Sequence, residues 1–197
     1  MKKFSTFIVF LIFILLSSSK VYSIEADTFI QSTVNRAAKT LGSNLTKEER
    51  IEKLKDIARD TVDIEGIGFY SLGNHRKNLT EKQINEYKKV FARYFLKSFS
   101  SRLAEYSNPE IEVNSKKVIN ENYTIVSSIL IATELRPKVK IQWRVYTKNP
   151  NNLQIRDLII EGLSLARTQR EEFSSILNSN NGKFEILLKS LSDFSVD

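Results

Sequence analysis

The 197-residue chain has no cysteine and a single histidine. Without sulfur there is no disulfide framework, no Cys-ligated zinc or iron–sulfur site and no thiol catalysis. One histidine cannot build a multi-His metal site, and it leaves His75 as the only candidate base for a Ser-His relay. The sequence also has no P-loop, dinucleotide fingerprint or EF-hand loop, no internal repeat and no low-complexity linker. Long apolar runs are missing too. The longest, Phe4 to Leu16, is interrupted by Ser5 and Thr6 and falls short of the roughly 20 residues a spanning helix needs.

That short run has a different meaning. Lys2 and Lys3 precede it, and Ser17-Ser18-Ser19-Lys20 leads to Val21-Tyr22-Ser23, so residues 1–23 read as a signal peptide cleaved after Ser23. No cysteine follows for lipidation, and the mature chain, 24–197, is expected to be exported and soluble. The formal charge of +7 falls to +4 once Lys2, Lys3 and Lys20 leave. So mild a balance makes no case for nucleic acid, and it suits weak contact with anionic headgroups or an acidic partner.

The remainder, in a chain 41% hydrophobic and 10% aromatic, is foldable as one domain. Phe29, Ile30, Val34, Ala37 and Leu41 recur at helical spacing up to Gly42. Thr46-Lys47-Glu48-Glu49 opens a second helix as a capping box, with Ile51, Leu54, Ile57 and Ala58 on one face. Asp63 to Gly68 reads as a break, followed by a short aromatic piece, Phe69 to Gly73. A second capping box, Thr80 to Gln83, begins a long helix to about Tyr106 with a wide aromatic stripe, which reads first as core and second as a ligand-facing wall.

Past Glu110 the period changes to two. Ile111–Val113, Lys117–Ile119, Tyr123–Thr133, Val139–Tyr146 and Leu153–Glu161 read as strands of an antiparallel meander, and Thr168–Asn178 and Lys183–Phe194 as closing helices. The expected architecture is α+β, with helices packed on the apolar face of a sheet. The inward faces assigned by period supply the candidate pocket walls: Phe69, Leu72, Phe91 and Phe95 from the helices, and Ile129, Ile131, Val139, Ile141, Trp143 and Val145 from the sheet.

Reactive constellations are weak by comparison. Asp157 and Glu161, four apart on the last strand, are expected to share a face and to cap the next turn or pair with Arg167 or Arg170. Gly162-Leu163-Ser164-Leu165-Ala166 departs from a nucleophile elbow at Ala166, where a glycine is needed, so Ser164 reads as a helix cap. Asn44, Asn78 and Asn122 start Asn-x-Thr sequons, which matter only in a eukaryotic secretory pathway.

Two stretches carry a family resemblance. Leu72-Gly73, Thr80, Gln83, Tyr87, Phe91, Phe95, Phe99, Leu103 and Tyr106 resemble the long-helix signature of the MlaC family, also called the toluene-tolerance family. Asp157-Leu158-Ile159-Ile160-Glu161-Gly162-Leu163-Ser164-Leu165, followed by Arg170, Phe173, Ile176 and Leu177, resembles that family's strand exit and next helix. The chain departs from the pattern at Asn74-His75-Arg76-Lys77, where an aromatic is usual, and at Leu153, where a tryptophan is usual. The resemblance implies a single domain with a helical layer on a curved, mainly antiparallel sheet, related to the NTF2-like class, and an apolar cavity holding phospholipid acyl chains with the headgroup in solvent. It implies a periplasmic carrier, not an enzyme, with no cofactor beyond its phospholipid cargo. The implied partners are an outer-membrane lipoprotein complex and an inner-membrane ABC transporter with an MCE-domain subunit, and the implied role is outer-membrane lipid asymmetry. The alternative is a small secreted α+β enzyme, or another apolar-ligand binding module, using an NTF2-like cavity.

Overall fold

The structure is a computed structural model that describes residues 24–134 and 136–196. The segment read as a signal peptide, 1–23, lies outside the described residues. Helix α1, Ala26–Leu41, buries Ile30, Thr33, Val34 and Leu41, with Asp27 in its first turn and Lys39 in its last, each favourable to the helix dipole. Helix α2, Lys47–Thr61, starts with the expected capping box: the Glu49 amide donates to Thr46 Oγ1 at 3.1 Å, and the Thr46 amide to Glu49 Oε2 at 2.9 Å.

The expected break at Asp63–Gly68 and the short piece after it are instead one helix, α3, Ile64–Leu72. Two glycines in nine residues disfavour a helix on propensity alone. Tertiary structure overrides this. Asp63 Oδ1 caps the Gly66 amide at 2.8 Å, and Gly68 lies so close to the long helix that a β-carbon there would sit 2.7 Å from Phe91 Cδ1. The Gly68 carbonyl also accepts from the Tyr87 hydroxyl at 2.9 Å. A 3-10 turn, Gly73–Asn78, then carries the chain to α4, Glu81–Leu103, whose capping box joins Thr80 and Gln83. At about 1.5 Å per residue its 23 residues make it the longest helix described.

Five antiparallel strands follow in meander order: β1 Ile111–Asn120, β2 Tyr123–Leu130, β3 Val139–Tyr146, β4 Gln154–Ile160 and the short β5 Leu163–Ser164. The two short runs expected at Ile111–Val113 and Lys117–Ile119 are one strand, with a register irregularity between Val113 and Ser115. Between β2 and β3 the partners are Thr124–Val145, Val126–Trp143, Ser128–Ile141 and Leu130–Val139, which share the buried face. Helices α5, Leu165–Ser179, and α6, Phe184–Val196, complete the domain.

Helix α1 rests on β1 and β2, α3 and α5 rest on β4, and α4 packs on α2, α3 and α6. An aromatic chain binds this layer: Tyr87 stacks on Phe91 at 5.5 Å, Phe91 meets Phe173 edge-on at 6.1 Å, and Tyr87 lies 6.0 Å from Phe184. A polar clasp fastens the layer to the sheet. The Asp63 amide donates to the Ile155 carbonyl at 3.0 Å, and Arg156 Nε meets Asp63 Oδ2 at 2.6 Å while its guanidinium stacks 3.8 Å above the Tyr146 ring. Arg156 also donates to the Tyr123 hydroxyl at 2.9 Å.

Candidate functional site: a two-compartment apolar cavity

Between the helices and the inner face of the sheet lie two adjoining spaces. The larger, about 250 Å³, sits between α4, α5 and the β3–β4 part of the sheet, and Phe91, Phe95 and Phe99 form its helical wall. The smaller, about 140 Å³, lies between α1, α2 and the sheet, with Val34, Leu54, Ile57, Val139 and Ile141 in its lining. Val62, Phe99, Trp143, Ile155 and Leu158 line both. The compartments therefore share a wall, to which Phe99 contributes from the helical layer and Trp143 from the sheet. Ligand pockets run to about 300–1,000 Å³, so a two-chain lipid needs these side chains to move apart.

The local sequence explains the walls. On α4, Phe91, Phe95 and Phe99 recur every four residues and so form one stripe, with Phe95 and Phe99 stacked at 5.6 Å. On β3, Ile141, Trp143 and Val145 are buried while Lys140, Gln142 and Arg144 are exposed. The indole N–H of Trp143, the one polar atom this wall presents from β3 side chains, donates to Ser128 Oγ at 2.8 Å, and Ser128 in turn donates to the Ile141 carbonyl at 3.4 Å.

Five of the ten candidate wall residues line these compartments: Phe91 and Phe95 in the larger, Val139 and Ile141 in the smaller, Trp143 in both. Leu72 and Val145 are fully buried as core and lie outside the linings of both compartments. Phe69 is elsewhere. Because α3 is a helix that turns Ile67, Gly68, Ser71 and Leu72 inward, Phe69 lies half-buried beside a shallow groove, with Lys88 Nζ 5.3 Å above its ring. Ile129 is out of phase with the buried face of β2, which belongs to Thr124, Val126, Ser128 and Leu130. In Tyr123-Thr-Ile-Val-Ser-Ser-Ile-Leu both phases offer apolar and polar residues, and pairing with Trp143 and Ile141 selects the one with Ser128 inside. Ile131 lies past the end of β2, its amide bonded to the Glu110 carbonyl at 2.9 Å.

The smaller compartment draws on α1 and α2 through Val34, Leu54 and Ile57, and on β4 through Leu158 and Ile160; none of these was among the candidates. The amphipathic stripes of α1 and α2 were visible, but period alone does not tell which buried stripe borders a cavity.

Asp157 is the acid an enzyme would use, since it is only 5% exposed and borders the larger compartment. Both of its oxygens are occupied. Oδ2 accepts from Ser164 Oγ at 2.6 Å and Oδ1 from the Ala166 amide at 3.0 Å, while Ser164 Oγ accepts from the Arg167 amide at 3.1 Å as the cap of α5. Glu161 does not share this face. It lies past the end of β4 in a left-handed turn (φ 48°), and its carboxylate accepts from the Lys140 amide. Arg170 instead lies against Gly73, its guanidinium 5.2 Å from the Tyr70 ring. Among the described residues no cluster of His, Asp or Glu could hold a metal ion, and no helix is long and apolar enough to cross a membrane.

The profile of the family described as MlaC protein matches residues 30–193, nearly the whole described chain. The chain belongs to the MlaC family. A curated member, the intermembrane phospholipid transport system binding protein MlaC of Haemophilus influenzae, is 25% identical over 120 residues. That match covers 59% of this chain and 56% of the relative, so it spans little more than half of the curated protein. Among solved structures, the phospholipid-binding protein of Ralstonia solanacearum, determined in complex with a phospholipid, superposes with a TM-score of 0.72. It is 17% identical, with 88% of this chain and 98% of that one covered, and it shares the MlaC fold of helices on an open antiparallel sheet.

Proposed function

We propose that this MlaC-family chain is a phospholipid carrier of an intermembrane transport system, a binding protein and not an enzyme. The observation that carries the reading is the apolar cavity whose two compartments share the side chains of Phe99 and Trp143, in a fold whose solved relative is a phospholipid complex. Two acyl chains of roughly 15 methylenes each, at about 0.8 kcal/mol per methylene, cost on the order of 20 kcal/mol to bring into water. A carrier offsets that cost by substituting its own apolar walls. It must also let go, and side chains that part to admit the lipid can close behind it.

In this reading residues 1–23 direct export and are removed, the mature protein begins at Ile24, and it works in the periplasm. Lipid is exchanged with an outer-membrane lipoprotein complex and an inner-membrane ABC transporter bearing an MCE-domain subunit, which maintains outer-membrane lipid asymmetry. Phospholipid is cargo, and no other cofactor is required. A hydrolytic alternative would need a free base. Against it, Asp157 is committed to the N-terminus of α5 and the Ser164 hydroxyl donates to Asp157, not to an imidazole.

Native mass spectrometry of the exported protein tests the proposal. The expected species starts at Ile24 and carries one copurified diacyl phospholipid. Protein consistently free of lipid after expression in a Gram-negative host, with Met1–Ser23 retained in the membrane fraction, would refute it.

A further inference from the structure

The larger compartment is apolar within and charged at its edge. Among the described residues that line it only Arg102 is cationic, and it is exposed in the last turn of α4. Glu172, exposed on α5, is the only other charged lining residue besides the committed Asp157. Ser98, Thr168 and Gln169 lie half-buried alongside them. Helical spacing accounts for this edge. Tyr94, Ser98 and Arg102 repeat every four residues on α4, beside the Phe91-Phe95-Phe99 stripe, while Leu165, Thr168 or Gln169, and Glu172 repeat on α5. Each helix therefore turns an apolar row inward and a polar row along the opening.

The two charges are not spent on each other or on neighbours. Among the described residues neither Arg102 nor Glu172 enters an ion pair, and the polar contact of Glu172 is the Gln169 side-chain amide, 2.9 Å from its Oε2. Gln169 in turn accepts from the Tyr94 hydroxyl at 3.0 Å, which joins both helices across the opening. Both charges are felt at that hydroxyl: burial pushes the Tyr94 phenol up, the Gln169 hydrogen bond and the Arg102 charge oppose this, and the Glu172 charge adds to it.

We propose that Arg102 and Glu172 form a headgroup subsite for a zwitterionic phospholipid, Arg102 engaging the phosphodiester and Glu172 the amine of the headgroup while the acyl chains fill the compartments. The inference rests on the carrier reading and adds a headgroup preference to it. A guanidinium presents a planar fork of donors that matches two phosphate oxygens, and Ser98, one turn back, offers a hydroxyl on the same row. Glu172 repels a second negative charge and favours an ammonium. An edge of one cation and one anion therefore discriminates against anionic headgroups, whereas a cationic edge alone would favour them. Each contact sits at the boundary of a low-dielectric wall, which strengthens it over the same pair in open water.

The test offers delipidated mature protein vesicles of equimolar phosphatidylethanolamine and phosphatidylglycerol with diacylglycerol, and reads bound species by native mass spectrometry. Wild type is expected to hold phosphatidylethanolamine over phosphatidylglycerol by about fivefold, the factor one exposed charge contact supplies. Glu172→Gln should bring that ratio near unity. Arg102→Gln should lower both phospholipids about fivefold relative to diacylglycerol, which has the chains without the phosphate, and Arg102→Lys should recover most of the loss. Excess inorganic phosphate should not compete; competition would make free phosphate the ligand of Arg102 and overturn the proposal. A wild type that holds lipid with no headgroup preference, or an Arg102→Gln variant that loses diacylglycerol equally, refutes the subsite and leaves the carrier reading standing. A wild type that takes up none of the three lipids refutes both. Both positions are exposed, so unchanged melting temperatures certify the variants as folded.

Discussion

The hydrogen bond to Ser128 anchors Trp143, a residue that lines both compartments, and it can be weighed by a double-mutant cycle. Trp143 is 7% exposed and Ser128 2%, so water does not replace a lost partner at either. Ser128→Ala leaves the buried indole N–H without its partner, at a cost of about 1–3 kcal/mol. Trp143→Phe removes the donor and part of the ring; Ser128 keeps the Ile141 carbonyl, so the cost is about 2 kcal/mol, mainly from lost burial. In the double variant no buried donor is stranded, and it should be about as stable as Trp143→Phe alone. The coupling is then the whole Ser128→Ala cost, about 1–3 kcal/mol, observable as singles whose summed loss exceeds that of the double. At about 2–4 °C per kcal/mol for a chain of this size, Trp143→Phe should melt roughly 4–8 °C and Ser128→Ala roughly 2–12 °C below wild type. Thermal melts by circular dichroism supply the four stabilities, and native mass spectrometry the lipid content, which should persist in all three variants because an aromatic wall remains. Trp143→Glu, by contrast, puts a carboxylate against both compartments and should abolish lipid retention. Strictly additive single losses would refute the buried bond, and Trp143→Glu protein that folds and still carries lipid would refute the wall.

Other outcomes follow from individual contacts. Gly68→Ala drives a methyl against Phe91, and calorimetry should show a loss of about 1–3 kcal/mol, because both partners are held in packed helices. Burial holds the Tyr87 phenol well above its ordinary value of 10.0, with Tyr94 adding to the shift. The unfolded chain therefore releases this proton above about pH 10 while the folded chain keeps it, and stability should fall as pH rises past that value. Tyr87→Phe should cost about 1 kcal/mol at neutral pH through the lost bond to Gly68 and flatten the alkaline decline in urea titrations; an unaltered decline would sink the assignment. Ser164→Ala removes the cap of α5 and a donor to Asp157, so about 1–2 kcal/mol of stability should go while lipid content stays; a phospholipase activity that disappears with it would move the protein to the enzymes.

Much of this protein is legible in its sequence. Capping boxes at Thr46 and Thr80 are local hydrogen-bond chemistry, and they start α2 and α4 at the expected residues. The alternation from Val139 to Tyr146 marks β3 end to end, because Lys140 and Arg144 tolerate only the wet face. Ser164 reads as a cap from its place after a turn, and it is one. What tertiary structure decided are the positions where local preference is absent or misleading. Helix α3 has two glycines and exists because Asp63 caps it and Phe91 needs the space beside Gly68; its helical turn then sends Phe69 to the surface and Leu72 to the core. Strand β2 is nearly balanced between its two faces, and only the register with β3 puts Ser128 under the indole and Ile129 outside. The cavity has the same origin. Apolar stripes on α1, α2, α4 and four strands are all visible in sequence, but whether two facing stripes touch or leave a gap depends on how far apart the elements are held, a distance that period does not encode.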